Sequence, residues 1–429
     1  MTKIRLKKVN WKQQYGETFV CILLFLGYWF LSSYEVYVSG ILGPISRYYI
    51  LLLIVYLAWR KRVFHVHWFQ VTIIIWIIYY FASLLWTPNF SQAKVYVFSV
   101  CGMAIYYVLI AGTKFSYNFA QLCITMMMWC SGSLGVLGLF LTQNLSGDIE
   151  SRRVLTLFGV QPDPNNLVAL YAVATAITLY RLFFQEGNKW IHLALLLINS
   201  YGILMTGSRS GIVVLVAQFA IVFFLSEANE SRASKNLRRI ALAVLIILAI
   251  VVLFSYLPQE VLTRITGQDA NLSFMDSTGR TERWMQGIKV WLEHPLFGCG
   301  WGAYECHSTF FTFLVDTGIL GTLLFWGTVG GIAWVAWRKK DVLSILLMAS
   351  GIVPALLIGA QNRRFFWNAL IVPVMLINAQ KLVAQEGNQV GLKENDQEHV
   401  DVPWTDKYME KIKGIPEECN LRRWHQIWN

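Results

Sequence analysis

Charged side chains are scarce in this sequence: they make up 14% of its 429 residues, whereas 56% are apolar. A chain of this composition is too apolar for an ordinary water-soluble domain. The low charge therefore excludes a soluble enzyme and predicts an integral membrane protein that crosses the bilayer many times. The formal net charge of +11 does not favour nucleic-acid binding, because most basic residues fall in predicted cytoplasmic loops and report topology instead.

Features of several other protein classes are missing as well. The first apolar run has no small-residue cleavage site, so we expect a retained helix and not a removed signal peptide. Residues 207–211 approach the Gly-x-Ser-x-Gly pattern of serine hydrolases, but Arg209 stands where the serine would be, and no such enzyme is predicted. His65 and His67 lie in a predicted cytoplasmic loop, where solvent or lipid headgroups are the expected contacts. We expect neither a metal ion nor another cofactor.

Twelve apolar runs, each bounded by charged or turn residues, are predicted to cross the roughly 30 Å hydrocarbon core. They cover residues 18–38, 42–59, 68–86, 94–113, 119–142, 166–184, 189–206, 210–226, 240–257, 308–337, 341–359 and 365–384. The predicted fold class is therefore an all-α integral membrane protein with about 12 transmembrane helices. We divide it into a five-span scaffold at 1–142, a second region at 143–384 that holds spans six to twelve and the largest outer loop, and a cytoplasmic tail at 385–429. The tail is predicted to be a flexible linker followed by a short interfacial helix.

Basic residues orient these runs, because cytoplasmic loops carry more Lys and Arg than translocated loops do. The amino terminus is strongly basic, so both termini are predicted to be cytoplasmic when the spans number twelve. All but eleven of the 36 Lys and Arg residues then lie on the cytoplasmic side. The eleven predicted outer residues, nine of them arginines, are Arg47, Lys94, Arg152, Arg153, Arg209, Arg264, Arg280, Arg283, Lys289, Arg363 and Arg364.

The outer arginines run against this bias, and their chemistry suits an anion. A planar guanidinium donates to two oxygens of one phosphate at once. Arg209 lies at the mouth of two apolar runs, where its charge is costly without an anionic partner. Arg153 lies in the first long outer loop, at about 143–165, and the same loop leads through two prolines to Asn165. We interpret Asn165 either as part of a capped helix start or as a substrate contact.

The largest predicted outer segment runs from about residue 258 to 307. One face of a helix within it would hold Trp284, Ile288, Trp291 and Leu292. Such a helix is predicted to lie at the membrane interface, with Arg280 and Arg283 projecting from about one side. Cys299 and Cys306 also lie outside, and they either form a disulfide or remain free thiols.

Residues 307–322 join this polar segment to an apolar run. They contain His307 and Ser308, then nine residues, then a Gly-x-x-Gly-Thr turn that starts at Gly318. The pattern resembles the histidine motif of the bacterial O-antigen ligase and O-antigen polymerase superfamily of membrane glycosyltransferases. Three further features resemble that family, in its order and on one predicted side of the membrane: residues 206–211, Gly279-Arg280 and the turn at 294–300.

The resemblance implies transfer of a glycan from an undecaprenyl-diphosphate-linked donor, without a metal ion. The acceptor would be a glycan, a glycolipid or a protein at the outer face of the bacterial cytoplasmic membrane. The family's motif arginines fall on Arg209 and Arg280, and its histidine falls on His307. An imidazole is suited to accept the proton of an attacking hydroxyl, and the arginines are suited to hold the diphosphate. Arg283 is the alternative candidate to Arg280 for holding the diphosphate.

Several residues allow more than one interpretation. Arg363 and Arg364 either extend the anion site or anchor the last span. Asp316, the only acid well inside a predicted span, either pairs with an outer arginine, assists His307 or forms a structural ion pair. Ligase and polymerase share these residues and differ in the acceptor. A transporter or flippase is the alternative from another class, although the two halves of the sequence are not alike. A non-catalytic scaffold would not require Arg209 and His307 together.

Overall fold

A computed structural model describes residues 11–42, 45–60, 67–145, 152–185, 187–227, 230–266 and 279–394. Its helices are α1 (Trp11–Tyr15), α2 (Phe19–Ser33), α3 (Glu35–Leu42), α4 (Ile45–Trp59), α5 (Trp68–Ala82), α6 (Phe90–Gly112), α7 (Tyr117–Leu141), α8 (Pro164–Phe184), α9 (Lys189–Met205), α10 (Arg209–Phe224), α11 (Arg232–Tyr256), α12 (Gln259–Thr266), α13 (Arg280–Glu293), α14 (Thr309–Arg338), α15 (Val342–Leu357) and α16 (Arg364–Glu394). A 3-10 turn (Ser83–Leu85) continues α5, and two strands, β1 (Thr142–Asn144) and β2 (Arg153–Leu155), complete the set.

Each of the twelve predicted apolar runs overlaps one of these helices. Within the described residues, five helices are long and apolar enough to cross a membrane: α5 with its 3-10 turn, α6, α7, α8 and α14. Six further apolar helices are shorter, and α11 carries the basic pair Arg238 and Arg239 in its first half. The chain is thus a predominantly helical, multi-pass membrane protein. The count of twelve crossings and their direction stay predictions.

The structure differs from the expected boundaries in three places. The predicted first span, residues 18–38, is divided at Tyr34 between α2 and α3. The predicted outer loop at 143–165 contains a short antiparallel hairpin of β1 and β2, and Tyr37 Oη donates to the Leu155 carbonyl beside it at 2.8 Å. Helix α16 continues to Glu394, past the predicted end of the last span at residue 384. The first part of the predicted linker is therefore helical. The predicted interfacial helix of the tail lies outside the described residues.

Polar side chains at helix starts explain why several helices begin where they do. Asp163 Oδ1 accepts from the backbone N–H groups of Asn165 at 2.8 Å and Asn166 at 3.2 Å, and Pro164 occupies the first turn of α8. Proline suits this position because its missing N–H would have no partner there. A cap of this kind contributes about 1 kcal/mol. The predicted rigid, capped turn is confirmed.

Contacts between helices define two opposite ends of the bundle. Ser208, which precedes α10, contacts Asn165 at the start of α8, and Thr309 at the start of α14 contacts Ile358 after α15. We call this the histidine end, since His307 precedes Thr309. At the opposite end, residues 224–226 at the end of α10 share a cavity with Arg338, the last residue of α14, and with Lys340. We call this the basic end. Helix α15 packs against α8, α10, α14 and α16, and so connects the contacts of both ends.

Candidate functional site

The loop before α8 and the loop before α10 meet at the histidine end. Ser208 Oγ donates to Asn165 Oδ1 at 2.6 Å, Ser210 Oγ lies 3.2 Å from the same oxygen, and the two hydroxyl oxygens are 2.6 Å apart. All three side chains are buried. Arg209 lies between the two serines as the first residue of α10, and it is only partly buried. Asn165 therefore holds the segment that positions Arg209, and a substrate contact by Asn165 stays a prediction.

The turn at 294–302 is inserted into the hydrogen-bond ladder of α14. Gly318 has φ 62° and ψ −166°, which breaks the helix there. In an unbroken helix, the N–H groups of Ile319 and Leu320 would donate to the carbonyls of residues 315 and 316. They donate instead to the carbonyls of Pro295 at 2.9 Å and Leu296 at 3.3 Å. The carbonyls released by this change accept from Cys299 N at 2.8 Å and Gly300 N at 3.1 Å.

This backbone exchange requires glycine on both sides of the contact. A Cβ on Gly318 would lie 2.5 Å from the Gly298 nitrogen, and a Cβ on Gly298 would lie 2.5 Å from the Asp316 carbonyl carbon. Neither main chain can move away without losing the exchanged hydrogen bonds. Tyr79 Oη adds a further bond from α5, because it donates to the carbonyls of Phe297 at 2.9 Å and Thr317 at 3.0 Å. Gly298 and Gly318 thus permit a rigid contact between the turn at 294–302 and α14, which we call the exchange junction.

Asp316 lies beneath this junction and is fully buried. Its carboxylate accepts from the Gly302 N–H and from Tyr80 Oη, the latter at 3.4 Å from Oδ2. Its other oxygen, Oδ1, has no hydrogen-bond partner, and among the described contacts Asp316 forms no ion pair with an arginine. Asp316 is therefore placed to hold the turn that leads to His307. Of the three interpretations offered for it, support of the His307 segment fits the contacts best.

His307 lies on a short connection that is fixed on both sides. Before it, Cys306 is buried beneath Gly287 of α13. After it, Thr309 Oγ1 donates to the Ile358 carbonyl at 3.0 Å and accepts from Ala360 N at 2.8 Å. His307 itself adopts φ 49°, a left-handed conformation that is uncommon for residues other than glycine. Its backbone is constrained in this way while 43% of its side chain stays exposed.

An acid that the sequence analysis did not single out lies beside this histidine. Glu305 Oε1 is 3.9 Å from His307 Nδ1, and 81% of the Glu305 side chain is exposed. The separation is too long for a hydrogen bond, but a carboxylate at this distance stabilises the positive charge of a protonated imidazole. The signal in the sequence was slight, since Glu305 merely stands two residues before the motif histidine.

Helix α13, predicted in the large outer segment, packs along the start of α14. The rings of Trp284 and Phe311 are 5.4 Å apart, and a Cβ on Gly287 would lie 3.7 Å from the Val315 side chain. The two helices therefore advance together, so that Arg280, one turn before Trp284, extends toward the His307 end of α14. Arg280 is partly buried. Arg283 is exposed and follows it on α13.

One detail of α13 differs from the prediction. Leu292 is 59% exposed and does not share the packed face, which centres on Gly287 and Trp284. Of the two alternatives offered for Cys299 and Cys306, the structure has the free thiols, and Cys299 Sγ donates to the Val290 carbonyl at 3.2 Å. Burial raises the pKa of the Cys306 thiol to about 12, which keeps it protonated and unreactive.

The remaining predicted site residues occupy different environments. Arg364 begins α16 and is only 3% exposed, and its backbone N–H donates to Glu35 Oε2 at 3.2 Å. This placement favours the anchoring interpretation of Arg364. Arg363 is partly buried one residue earlier, and its backbone N–H donates to the Ala360 carbonyl at 2.9 Å. Arg153 begins β2 and is partly buried.

No group of three or more His, Cys, Asp and Glu side chains suited to a metal ion occurs in the described part of the chain. What the site offers is the exposed imidazole of His307 and several guanidinium groups. Arg209, Arg280, His307 and Arg363 all belong to segments of the histidine end. Such a set can bind an anion and move a proton, which are the elements of transfer from a phosphorylated donor.

Comparison with known families agrees with these motifs. Residues 194–326 match a family model that is described as O-antigen ligase. The matched region begins within α9 and ends within α14, and it contains Arg209, Arg280, His307 and the whole exchange junction. A comparison with curated proteins finds no match.

Proposed function

We propose that this chain, a member of the O-antigen ligase and polymerase superfamily, moves a glycan from a polyprenyl-diphosphate carrier to an acceptor hydroxyl. Enzymes of this kind are glycosyltransferases that take a lipid-linked glycan donor. The observation that carries the proposal is the histidine end itself. There, separate parts of the chain bring arginines and one exposed, backbone-constrained histidine to the same end of a membrane-embedded bundle.

In the proposed reaction the acceptor hydroxyl attacks the anomeric carbon of the donor sugar. The new carbon–oxygen bond forms as the bond from that carbon to the diphosphate oxygen breaks, and the diphosphate leaves with the electron pair. His307 accepts the hydroxyl proton, for which it has an exposed ring in a fixed backbone position. Arg209 and Arg280 stabilise the charge that develops on the leaving diphosphate. No metal ion takes part.

Ligase and polymerase activities differ only in the acceptor. We favour the ligase because the histidine motif resembles that of the ligases more. The acceptor would be a glycolipid such as a lipid A core, or a protein. A polymerase would instead use a second lipid-linked repeat unit. The reaction would take place at the outer face of the bacterial cytoplasmic membrane, in keeping with the predicted orientation of the basic loops.

The test is transfer by the purified full chain in detergent with EDTA present, using undecaprenyl-diphosphate oligosaccharide and candidate acceptors. Single additions to a glycolipid or protein would identify a ligase, and a ladder of repeats would identify a polymerase. Transfer that stops when EDTA is added would contradict the metal-independent chemistry. Movement of the lipid across the membrane of proteoliposomes without any glycan transfer would contradict the proposal and identify a transporter.

Helix α13 offers a matched pair of variants for the diphosphate role. Arg280 is partly buried at the start of α13, whereas Arg283 is exposed on the same helix. We expect Arg280→Ala to lower kcat/KM by roughly 10²-fold, the effect of removing one charge-stabilising donor, and Arg283→Ala to lower it much less. Steady-state transfer assays on both variants measure the difference. Equal losses, or none in Arg280→Ala, would remove Arg280 from the site.

A further inference from the structure

A cavity of 370 Å³ opens at the basic end, between the end of α10 and the connection from α14 to α15. Its lining combines apolar and basic side chains: Phe224, Ser226, Trp337, Arg338, Lys340 and Ile345. Phe224 is 67% exposed and Trp337 is 56% exposed, so the apolar wall faces outward from the bundle. An apolar wall with cations at one edge complements a molecule with a hydrocarbon chain and an anionic head.

Lys340 occupies a backbone position that normally belongs to glycine. Helix α14 ends in a Schellman motif, in which Asp341 N donates to the Ala336 carbonyl at 2.9 Å and Lys340 N donates to the Trp337 carbonyl at 3.0 Å. The residue between these bonds must be left-handed, and Lys340 has φ 54°. Side chains of L-residues are disfavoured in that conformation. A glycine would relieve this strain, so the lysine costs conformational energy at the point where it lines the cavity.

The other charged groups around the cavity leave its edge basic. Arg338 is stacked on the Trp334 ring, with its guanidinium carbon 5.5 Å from the ring centre. Lys235 Nζ lies 3.5 Å from Ser226 Oγ on the far wall. The nearest acid on the chain, Asp341, is buried and turned inward, where its carboxylate accepts from Ser344 N at 3.0 Å and Ser344 Oγ at 2.8 Å. A second acid beside the cavity, Glu227, follows the lining residue Ser226, and its carboxylate accepts from the Val342 N–H. Arg338, Lys340 and Lys235 outnumber this one carboxylate, so the edge keeps a net positive charge.

We propose that this cavity binds an anionic phospholipid of the membrane leaflet at the basic end, predicted to be the cytoplasmic one. Arg338 and Lys340 bind the headgroup phosphate, and an acyl chain lies along Phe224 and Ile345. The favourable position of cations at a helix end explains a basic residue in the last turn of α14. It does not explain a left-handed lysine beside an amphiphilic cavity. The proposal does not depend on the transfer chemistry at the opposite end.

The experiment is native mass spectrometry of the full chain in detergent, titrated with phosphatidylglycerol or with phosphatidylcholine of the same acyl chains. The key variant is Lys340→Gly, which removes the ammonium and relieves the left-handed backbone, so that loss of binding cannot come from unfolding. Thermal unfolding of the variant, expected to match or exceed wild type, verifies this. Arg232→Gln is the matched control, because it removes one exposed cation at the same end without lining the cavity.

We expect phosphatidylglycerol to bind wild type and Arg232→Gln alike, and more tightly than phosphatidylcholine. Its Kd should rise about fivefold in Lys340→Gly and further when Arg338→Gln is added, since each basic residue near a membrane surface contributes comparably. Equal binding of the two lipids, or an unchanged Kd in Lys340→Gly, would overturn the proposal. Inorganic phosphate that competes fully with the lipid at millimolar concentration would make this a free-anion site and would overturn the lipid assignment.

Discussion

The two ends of the bundle are stabilised by different kinds of contact. At the histidine end, most of the contacts that fix the motifs are neutral: backbone hydrogen bonds exchanged around Gly318, and hydroxyl bonds from Ser208 and Thr309. At the basic end, buried charges pair with each other, as in the 2.8 Å ion pair between Arg238 and Glu230. Backbone contacts tolerate no added side-chain volume, whereas charge pairs respond to pH. The ends should therefore fail under different perturbations.

The largest expected effect is on catalysis at the histidine end. Replacing His307 by alanine removes the proposed general base, which typically contributes 10²-fold to 10⁴-fold to a rate, so we expect kcat to fall by roughly 10³-fold. The unfolding temperature should stay close to that of wild type, because the side chain is 43% exposed and its neighbours hold the backbone. Transfer assays and thermal unfolding on the same preparation separate the two effects. An active His307→Ala variant would remove the base from the mechanism.

The next largest effect distinguishes two glycines of the same helix. Gly318→Ala places a Cβ at φ 62° and ψ −166°, a region essentially restricted to glycine, and 2.5 Å from Gly298 N. We expect a loss of at least about 3 kcal/mol in the free energy of unfolding, together with loss of transfer. Gly327→Ala is the control, because a Cβ there meets nothing within 4 Å. It should be neutral or stabilising by up to about 1 kcal/mol.

Chemical denaturation in mixed micelles measures both glycine variants. If Gly318→Ala were as stable as Gly327→Ala, the exchange junction would not be a rigid part of the fold. The position of His307 would then need another explanation. A Gly318→Ala variant that folds stably but loses transfer would instead show that the junction is needed for catalysis and not for stability.

These particular residues also show what the sequence could predict and what it could not. Apolar runs are a local signal, and each of the twelve overlaps a helix. The Asp163 cap and helix α13 were likewise predictable from neighbouring residues. The break at Gly318 was not, because its cause is a turn twenty residues earlier that supplies the replacement carbonyls. The backbone N–H of Arg364 donates to Glu35, 329 residues away, and no local pattern predicts such a contact.

At the basic end we expect a moderate, pH-dependent effect on stability. Burial, with Asp341 nearby, raises the pKa of Glu227 from 4.5 to about 7. Between these values the folded state keeps a proton that the unfolded chain has released, so stability falls as pH rises from about 4.5 to 7. We expect this fall to be roughly 2 kcal/mol after allowance for solvent screening. A fall in stability of this size would distinguish the basic end from the histidine end, where most contacts are neutral.

Glu227→Gln should flatten the dependence, because the amide does not titrate. Unfolding measured at pH 5, 6, 7 and 8 for both proteins gives the difference curve, which isolates Glu227 from other titrating groups. We expect the variant to be the more stable protein at pH 8 and the advantage to vanish at pH 5. Parallel curves for wild type and variant would show that Glu227 does not carry the pH response of this end.

The smallest expected effect concerns Glu305, the acid beside His307. Exposed ion pairs contribute at most about 1 kcal/mol, and this pair is separated by 3.9 Å with the carboxylate 81% exposed. Glu305→Gln should therefore lower kcat by no more than about fivefold. This loss should be smaller at high salt, where the pair is screened. Rates measured at low and high ionic strength test both statements. A loss comparable to that of His307→Ala would mean that the acid is essential in the reaction, and that the histidine end depends on a charge pair after all.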